Sequence, residues 1–217
     1  MANPSDIRCR LCLVTPPAFD ADAFAPRLAD ALAGGDVASL IVTADGKDPT
    51  ALQRAAEALV PIAEARGVAS LIHNDTRIAA RTRADGVHID TGGEDLAAAL
   101  EAFRKKKIVG AGNARSRHEA LELAELEPDY LFFGRLDGDT ADGIFPAALD
   151  LAAWWSSVTI IPAIVMGGRK LASVDEAAAN GIAFVALSSA IWNDARGPAA
   201  AVAEVAERLA MVREPAA

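Results

Sequence analysis

The feature that most constrains the fold is the regular alternation of short apolar runs and helical patterns along all 217 residues. Each apolar run is bounded by turn residues, which is typical of a strand buried on both faces, and a segment with helical periodicity follows it. The alternation predicts eight strands, over Cys9–Val14, Val37–Val42, Ala69–Ile72, Gly86–Ile89, Ile108–Ala111, Tyr130–Phe133, Thr159–Val165 and Ala183–Leu187. Eight parallel strands joined by helices indicate an α/β fold of the (β/α)8 TIM barrel type.

A doubly wound open sheet is the alternative α/β architecture. Such a sheet usually has fewer strands and a glycine-rich phosphate loop after its first strand. Here the first predicted strand is followed by Thr15-Pro16-Pro17, which is not a loop of that kind. No linker or shift in composition divides the chain, so we expect residues 1–217 to form a single TIM-barrel domain.

The composition limits the classes of partner. Of all residues, 52% are apolar, the formal net charge is −9 and the pI is near 4.8. A broadly acidic surface disfavours nucleic acid and anionic membranes as partners. No apolar run approaches the ~18 residues of a membrane span, and the N-terminus does not resemble a signal peptide. We therefore expect a cytoplasmic protein, and a homo-oligomer is compatible with the sequence.

The two cysteines, Cys9 and Cys12, have the C-x-x-C spacing of redox proteins. A redox pair normally lies at a helix N-terminus, which lowers the thiol pKa. Here both residues lie in the first predicted strand, where an odd separation places their side chains on opposite faces. We therefore expect no redox function.

Small residues follow the last two predicted strands. Gly167-Gly168 comes after strand seven, and Ser188-Ser189 with one short helical turn comes after strand eight. TIM barrels often bind a phosphate between these loops, because glycine permits close approach and free backbone N–H groups attract the anion. The pattern favours a phosphorylated small-molecule ligand, and a simple tight turn at Gly167-Gly168 is the alternative.

Polar residues also follow two earlier strands. Asn74 and Asp75 come after strand three, and Asp90 comes after strand four. Asp95 lies further along, at the start of a predicted helix. One carboxylate from each of two adjacent loops would suit Mg²⁺, which takes few protein ligands and completes its shell with water and phosphate oxygens. Helix capping explains Asp75 and Asp95 equally well.

Two histidines, His73 and His88, lie at or near the ends of strands three and four. We interpret them as buried, hydrogen-bonded structural residues.

The order of motifs resembles the thiamine phosphate synthase family and its thiazole tautomerase-type relatives over nearly the whole chain. The matching stretches are Leu-Val-Thr at 13–15, Ile-His-Asn-Asp at 72–75, Ala-Asp-Gly-Val-His-Ile at 84–89, Glu-Asp-Leu at 94–96, Met-Gly-Gly at 166–168 and Leu-Ser-Ser-Ala-Ile at 187–191. The resemblance implies a (β/α)8 barrel that joins a hydroxymethylpyrimidine diphosphate to a thiazole phosphate. Mg²⁺ assists the release of pyrophosphate in that family.

The resemblance also implies roles for individual residues. Asn74 would contact the pyrophosphate, and Asp75 and Asp95 would ligate Mg²⁺. The thiazole phosphate would be held after strands seven and eight, by Gly168, Ser188 and Ser189.

Three stretches depart from the family pattern. After strand two the family carries Gln-Leu-Arg-x-Lys, and we match those Gln, Arg and Lys positions to Leu40, Val42 and Ala44. After strand five the family's Gly-x-Ser is Gly-Ala-Gly, so Gly112 stands where a hydroxyl would contact the pyrophosphate. After strand six the family's Thr-Pro-x-x-Lys loop is replaced by the acidic segment 134–143.

These departures remove two cations and a hydroxyl from a site that must stabilise a multiply charged leaving group. Without replacement, activity should fall by several orders of magnitude. Four cations in the same loops could replace them: Lys47, Arg115, Arg117 and Arg135.

Three functions are therefore compatible with the sequence. The first is a thiamine phosphate synthase with reduced or altered activity. The second is a barrel that binds a phosphorylated thiazole without joining it to anything, such as a tautomerase-like protein with His73 or His88 as general base. The third is a phosphate-binding barrel of another pathway, which explains Asn74 and Asp75 less well.

Overall fold

The computed structural model describes residues 8–44, 49–103 and 106–211. Eight parallel strands close into a barrel in the order of the chain, with the last strand paired to the first. Their bounds are β1 Arg10–Val14, β2 Val37–Val42, β3 Ala69–His73, β4 Gly86–Ile89, β5 Ile108–Ala111, β6 Tyr130–Phe133, β7 Ala163–Met166 and β8 Phe184–Leu187. The predicted (β/α)8 barrel is confirmed, and the alternative open sheet is wrong.

Helices cover the outside of the barrel. Their bounds are α1 Ala21–Ala33, α2 Pro49–Glu64, α3 Thr76–Thr82, α4 Gly93–Phe103, α5 Arg117–Ala124, α6 Pro146–Val158, α7 Ser173–Ala179, α8 Ser189–Trp192 and α9 Pro198–Met211. Asp20, Asp75 and Ser116 begin three of them, each accepting a backbone N–H three residues further on. Such caps satisfy N–H groups that the first helical turn cannot pair itself.

The core has two layers, because alternate residues of a strand face opposite sides of the sheet. The outer layer packs the helices against the strands and includes Leu11, Leu13, Leu40, Val42 and Trp155. The inner layer fills the barrel with Cys12, Val14, Ile41, Leu71, Tyr130, Phe132, Ile164, Met166 and Ala186. The site at the carboxyl ends of the strands therefore stands on a packed, largely apolar column.

Strand β7 is shorter than predicted, Ala163–Met166 instead of Thr159–Val165. The residues before it form a turn in which the Ile161 N–H donates to the Thr159 hydroxyl at 3.0 Å. The Ile161 carbonyl accepts the indole N–H of Trp155 at 2.9 Å. Because these bonds engage backbone groups that a strand would offer to its neighbours, pairing begins only after the turn.

The cysteines lie on opposite faces of β1, as predicted. Cys9 belongs to the outer layer and Cys12 to the inner layer, and both are free thiols. Burial raises the pKa of each thiol to about 12. Both are therefore protonated and unreactive at neutral pH.

None of the helices in the described ranges is long and apolar enough to cross a lipid bilayer. The cytoplasmic location stays a prediction.

Candidate functional site

The carboxyl ends of β3 and β4 bring three polar side chains into one hydrogen-bonded group, which we call the His73 cluster: His73, Asn74 and Asp90. The Asp90 carboxylate lies 2.9 Å from His73 Nε2 and accepts the Asn74 side-chain amide at 2.6 Å. In return, Asn74 Oδ1 accepts the backbone N–H of Asp90 at 3.0 Å. The cluster ties the two loops together at the mouth of the barrel.

His73 Nε2 has two neighbours within hydrogen-bond distance. It lies 2.9 Å from the Asp90 carboxylate, which can only accept, and 2.9 Å from the Asn74 amide nitrogen, which can only donate. Burial alone would raise the pKa of Asp90, but hydrogen bonds from His73 and Asn74 outweigh it and hold that pKa at about 2. Asp90 is thus an anion at neutral pH, already bonded to the Asn74 amide.

His88 lies within the barrel beneath the cluster. It is 1% exposed, and its Nδ1 lies 3.0 Å from the Tyr130 hydroxyl with the two rings nearly parallel. Burial, with repulsion from His73, lowers the pKa of His88 to about 3, so this imidazole is neutral. The expected buried structural role of His88 is confirmed. The expectation of burial is wrong for His73, whose side chain is 28% exposed beside Asp90.

Gly112, the position of the lost hydroxyl, lies directly beside His88. A Cβ on Gly112 would come within 2.7 Å of His88 Nε2, so this arrangement leaves no room for a serine. Gly112 lines a cavity of about 430 Å³ together with Asp90, Asn113 and Arg115. The loop after β5 therefore brings both a glycine and a cation to the His73 cluster.

Arg115 is the replacement cation best placed for this cavity. Arg117 instead stacks over the ring of Trp154, with its guanidinium carbon 4.8 Å from the ring centroid. Lys47 falls outside the described residues. Of these candidates, Arg115 is the one that lines this cavity together with Asp90. Arg135 is also within electrostatic reach of Asp90, since its pKa is raised mainly by Asp137 and to a smaller extent by Asp90.

Strand β2 corrects one prediction. Leu40 and Val42 are fully buried in the outer layer, whereas Ile41 faces the inside of the barrel. Thr43 follows on the inner side, and its hydroxyl lies 3.0 Å from that of Thr15 at the end of β1. Leu40 and Val42, which we matched to the family's Gln and Arg, therefore face away from the site, since neighbouring residues of a strand lie on opposite faces. The site-facing positions, Ile41 and Thr43, are still uncharged.

The two predicted metal ligands lie on adjacent loops. Asp75 caps α3 through Oδ1, which accepts the Ile78 N–H at 2.7 Å, and this bond engages one carboxylate oxygen. Asp95 is exposed in the first turn of α4, which begins at Gly93, two residues before the predicted start. Within the described ranges, no group of three or more His, Cys, Asp or Glu could hold a metal. Two carboxylates with water and a substrate phosphate suit Mg²⁺ without such a group.

The predicted phosphate ligands meet at the ends of β7 and β8. Gly168 is buried, and its N–H donates to the Ser173 hydroxyl at 3.0 Å. Ser188 is buried before α8, and Ser189 is the first residue of that helix. The Ser189 hydroxyl is buried without a hydrogen-bond partner in the described part of the chain. The structure thus brings the three residues together, although the Gly168 N–H is already engaged.

The loop after β6, residues 134–143, lies over the phosphate ligands. Asp139 Oδ2 accepts the Ser189 N–H at 2.7 Å. At the start of the loop, Arg135 makes two bonds to Asp137, at 2.9 and 2.8 Å. Arg135 is therefore neutralised within its own loop, which weakens its case as a replacement cation.

Sequence reasoning missed three contacts of the site: His73 with Asp90, Thr15 with Thr43, and Asp139 with Ser189. Each joins two different loops. In the sequence, a polar residue at the end of a strand indicates that its side chain lies at the mouth of the barrel. It does not indicate which residue of another loop the side chain contacts.

Comparison with known proteins places these features in a family. Residues 11–191 match the family model described as thiamine monophosphate synthase. A thiamine-phosphate synthase of Rhodospirillum centenum is 36% identical over 197 residues, which cover 90% of this chain and 95% of the relative. One of Hyphomonas neptunium is 35% identical over 201 residues, covering 90% of this chain and 91% of the relative.

Solved structures show the same fold. A thiamine phosphate pyrophosphorylase from Pyrococcus furiosus superimposes with a TM-score of 0.78 at 20% identity, covering 95% of this chain and 98% of that chain. A 3-hexulose-6-phosphate synthase superimposes with a TM-score of 0.69 at 19% identity, covering 90% and 98%. At these identities the likeness concerns the barrel alone.

Proposed function

The chain belongs to the thiamine monophosphate synthase family, and we propose that it joins a hydroxymethylpyrimidine diphosphate to a thiazole phosphate in thiamine biosynthesis. The bond from the pyrimidine methylene carbon to the diphosphate breaks, and a bond from that carbon to the thiazole nitrogen forms. The products are thiamine phosphate and pyrophosphate.

The observation that carries the proposal is the position of Asn74 and Asp75 directly after β3, and of Asp95 in the first turn of α4, which follows the paired strand β4. Asp75 and Asp95 would hold Mg²⁺, with water and diphosphate oxygens completing its shell. When bound, Mg²⁺ would neutralise charge on the departing pyrophosphate. Arg115, in the neighbouring cavity, would add a second positive charge there.

The rest of the site suits the two rings and the second phosphate. Inward-facing apolar side chains of β1, β2 and β7 would form a floor for aromatic ligands: Val14, Ile41 and Met166. The thiazole phosphate would lie at the ends of β7 and β8, near Gly168, Ser188 and Ser189. This arrangement would set the thiazole nitrogen towards the pyrimidine carbon and away from water.

Purified protein with both substrates and Mg²⁺ tests the proposal. Thiamine phosphate should form, and Asp95→Asn should lower the rate by at least about a hundredfold because a ligand of the metal is lost. Glu94→Gln is the matched control, since it changes an exposed carboxylate in the same helical turn, and its rate should stay within about twofold. Absence of thiamine phosphate at every Mg²⁺ concentration would exclude the proposed reaction.

A second function, a barrel that binds the thiazole phosphate without condensing it, is favoured by one specific observation. The Asn74 amide is bonded to the chain's own Asp90 carboxylate, and the positions on β2 that face the site are uncharged. Calorimetry separates the two functions. A synthase should bind the pyrimidine diphosphate in the presence of Mg²⁺ as well as the thiazole phosphate, whereas the non-condensing barrel should bind the thiazole phosphate alone.

A further inference from the structure

We propose that the Asp139 carboxylate competes with the substrate phosphate for the Ser189 backbone, so that a phosphorylated ligand must displace Asp139 from Ser189 in order to bind. The inference rests on the proposed function, because it takes Ser189 as part of the thiazole-phosphate site. It gives the acidic loop after β6 a role in controlling access to that site.

The central contact is the bond from the Ser189 N–H to Asp139 Oδ2, at 2.7 Å between partly buried groups. It joins residues 50 positions apart in the chain. A carboxylate oxygen bound to a backbone N–H is a charge-assisted hydrogen bond, the same kind that a phosphate oxygen forms. Asp139 thus occupies the Ser189 N–H to which a phosphate oxygen would bind.

The loop is fastened where it passes the end of β7. The N–H groups of Arg169 and Lys170 donate to the carbonyls of Ala141 and Asp142 at 2.7 and 3.2 Å. Lys170 also pairs with the Asp142 carboxylate at 2.8 Å. A Cβ on Gly168 would lie 2.2 Å from the Asp142 carbonyl oxygen, so the loop packs directly on this glycine. These contacts anchor one end of the loop while Asp139 reaches Ser189.

The loop carries three carboxylates, of which two are balanced by cations. Asp137 pairs with Arg135, and Asp142 pairs with Lys170. Asp139 makes no ion pair within the part of the chain that the structure describes. Because its partner is a neutral N–H, Asp139 is the carboxylate of the loop that another anion can replace most easily.

A phosphate would also gain a contact that Asp139 leaves unmade. The Ser189 hydroxyl is buried and has no partner among the described residues. A buried hydroxyl without a hydrogen bond lowers stability, so a ligand oxygen that accepts from it is favoured. Phosphate has three acceptor oxygens and can take the N–H and the hydroxyl together.

Calorimetric titration with inorganic phosphate tests the inference in the full chain. The variant Asp139→Asn keeps the shape of the side chain and removes its charge, so we expect phosphate to bind at least about tenfold more tightly than to the wild type. Asp150→Asn is the matched control. It removes the same charge from an exposed aspartate of α6 without freeing any cation paired with it in the described ranges, whereas a change at Asp137 would release Arg135, and its affinity should stay within about twofold of the wild type.

Each result has a distinct meaning. Equal phosphate affinities in the wild type and Asp139→Asn would overturn the inference while leaving the phosphate site in place. An equal gain in Asp150→Asn would also overturn it, since the effect would then be one of net charge. Absence of phosphate binding in all three proteins would overturn the phosphate site itself, together with the inference.

Hydrogen exchange on the wild type gives a second test that needs no variant. Saturating phosphate should speed the exchange of the Gly138 and Thr140 N–H groups, which are hydrogen-bonded within the loop on either side of Asp139, because displacement of Asp139 loosens this part of the loop. Unchanged exchange in this segment, with phosphate bound, would contradict displacement.

Discussion

Gly110 has no contact that would mark it as part of the site, yet the polar residues inside the barrel depend on it. A Cβ at Gly110 would lie 1.9 Å from the ring of Tyr130, so that ring fills the space of a missing side chain. Tyr130 in turn holds His88 by a 3.0 Å hydrogen bond. A glycine on β5 therefore positions the aromatic stack beneath the His73 cluster.

We predict that Gly110→Ala lowers the free energy of unfolding by about 3 kcal/mol, because the added methyl forces the buried Tyr130 ring to move. Gly93→Ala is the control. Its nearest contact would be an ordinary 3.7 Å to Leu126, and alanine in a helix should change stability by no more than about 1 kcal/mol. Urea denaturation gives the stability of the two variants. Equal midpoints for Gly110→Ala and Gly93→Ala would contradict the claim that the Tyr130 ring fills the space beside Gly110.

The buried His88 should make stability depend on pH. Its pKa is lowered by burial from 6.5 to about 3, so unfolding takes up a proton between these values. The free energy of unfolding should therefore be fully present above pH 6.5 and fall as the pH drops, by up to about 1.4 kcal/mol per pH unit. Denaturation midpoints measured from about pH 7 to pH 5 should show this slope.

Two variants test whether His88 causes this dependence of the free energy of unfolding on pH. His88→Gln should remove most of it, whereas His118→Gln should leave it intact because the His118 side chain is 82% exposed. A slope that persists in His88→Gln would mean that another group takes up the proton.

In β2, the side of the sheet on which a residue lies decides whether it can reach the site. Leu40 and Val42 pack under the helices, while Ile41 and Thr43 face the barrel. A cation needed by the diphosphate can therefore enter from this strand only at the inner positions.

We predict opposite outcomes for arginine at Val42, the last residue of β2, and at Thr43, which follows it. Val42→Arg should lower the free energy of unfolding by at least about 4 kcal/mol, because it buries an unpaired charge in the outer layer. Thr43→Arg should fold, with a cost of about 1–2 kcal/mol for the lost Thr15 hydrogen bonds, and should bind pyrophosphate more tightly. Thermal unfolding measures the stability of each variant, and titration measures its affinity for pyrophosphate. A Val42→Arg variant that folds and binds pyrophosphate more tightly would show that Val42, and not Thr43, faces the site.

For the whole molecule, alternation of apolar runs and turns was enough to predict the eight strands and the closed barrel. It placed β2, β4, β5 and β6 at their observed bounds. It failed at β7, where the Thr159 side chain and the Trp155 indole form a turn that no periodicity signals. The local pattern of apolar residues predicts the strands and helices, but hydrogen bonds from individual side chains to the backbone can move the point at which a strand begins.

The candidate site could be predicted only in part, for the same reason. Strand-end positions located Asn74, Asp75, Gly168 and Ser189 at the barrel mouth. The partners of these residues come from other loops, so the sequence did not reveal that Asp139 meets Ser189. It also did not reveal the bond between Asn74 and the Asp90 carboxylate.

Phosphorus NMR can count the pyrophosphate released for each thiamine phosphate formed, and so shows whether the barrel condenses its two ligands. It uses the full chain with both substrates, with and without Mg²⁺. We predict one pyrophosphate for each thiamine phosphate, and none without Mg²⁺ or without the thiazole phosphate. Binding of the thiazole phosphate with no release of pyrophosphate at any Mg²⁺ concentration would contradict the claim that this barrel condenses its two ligands.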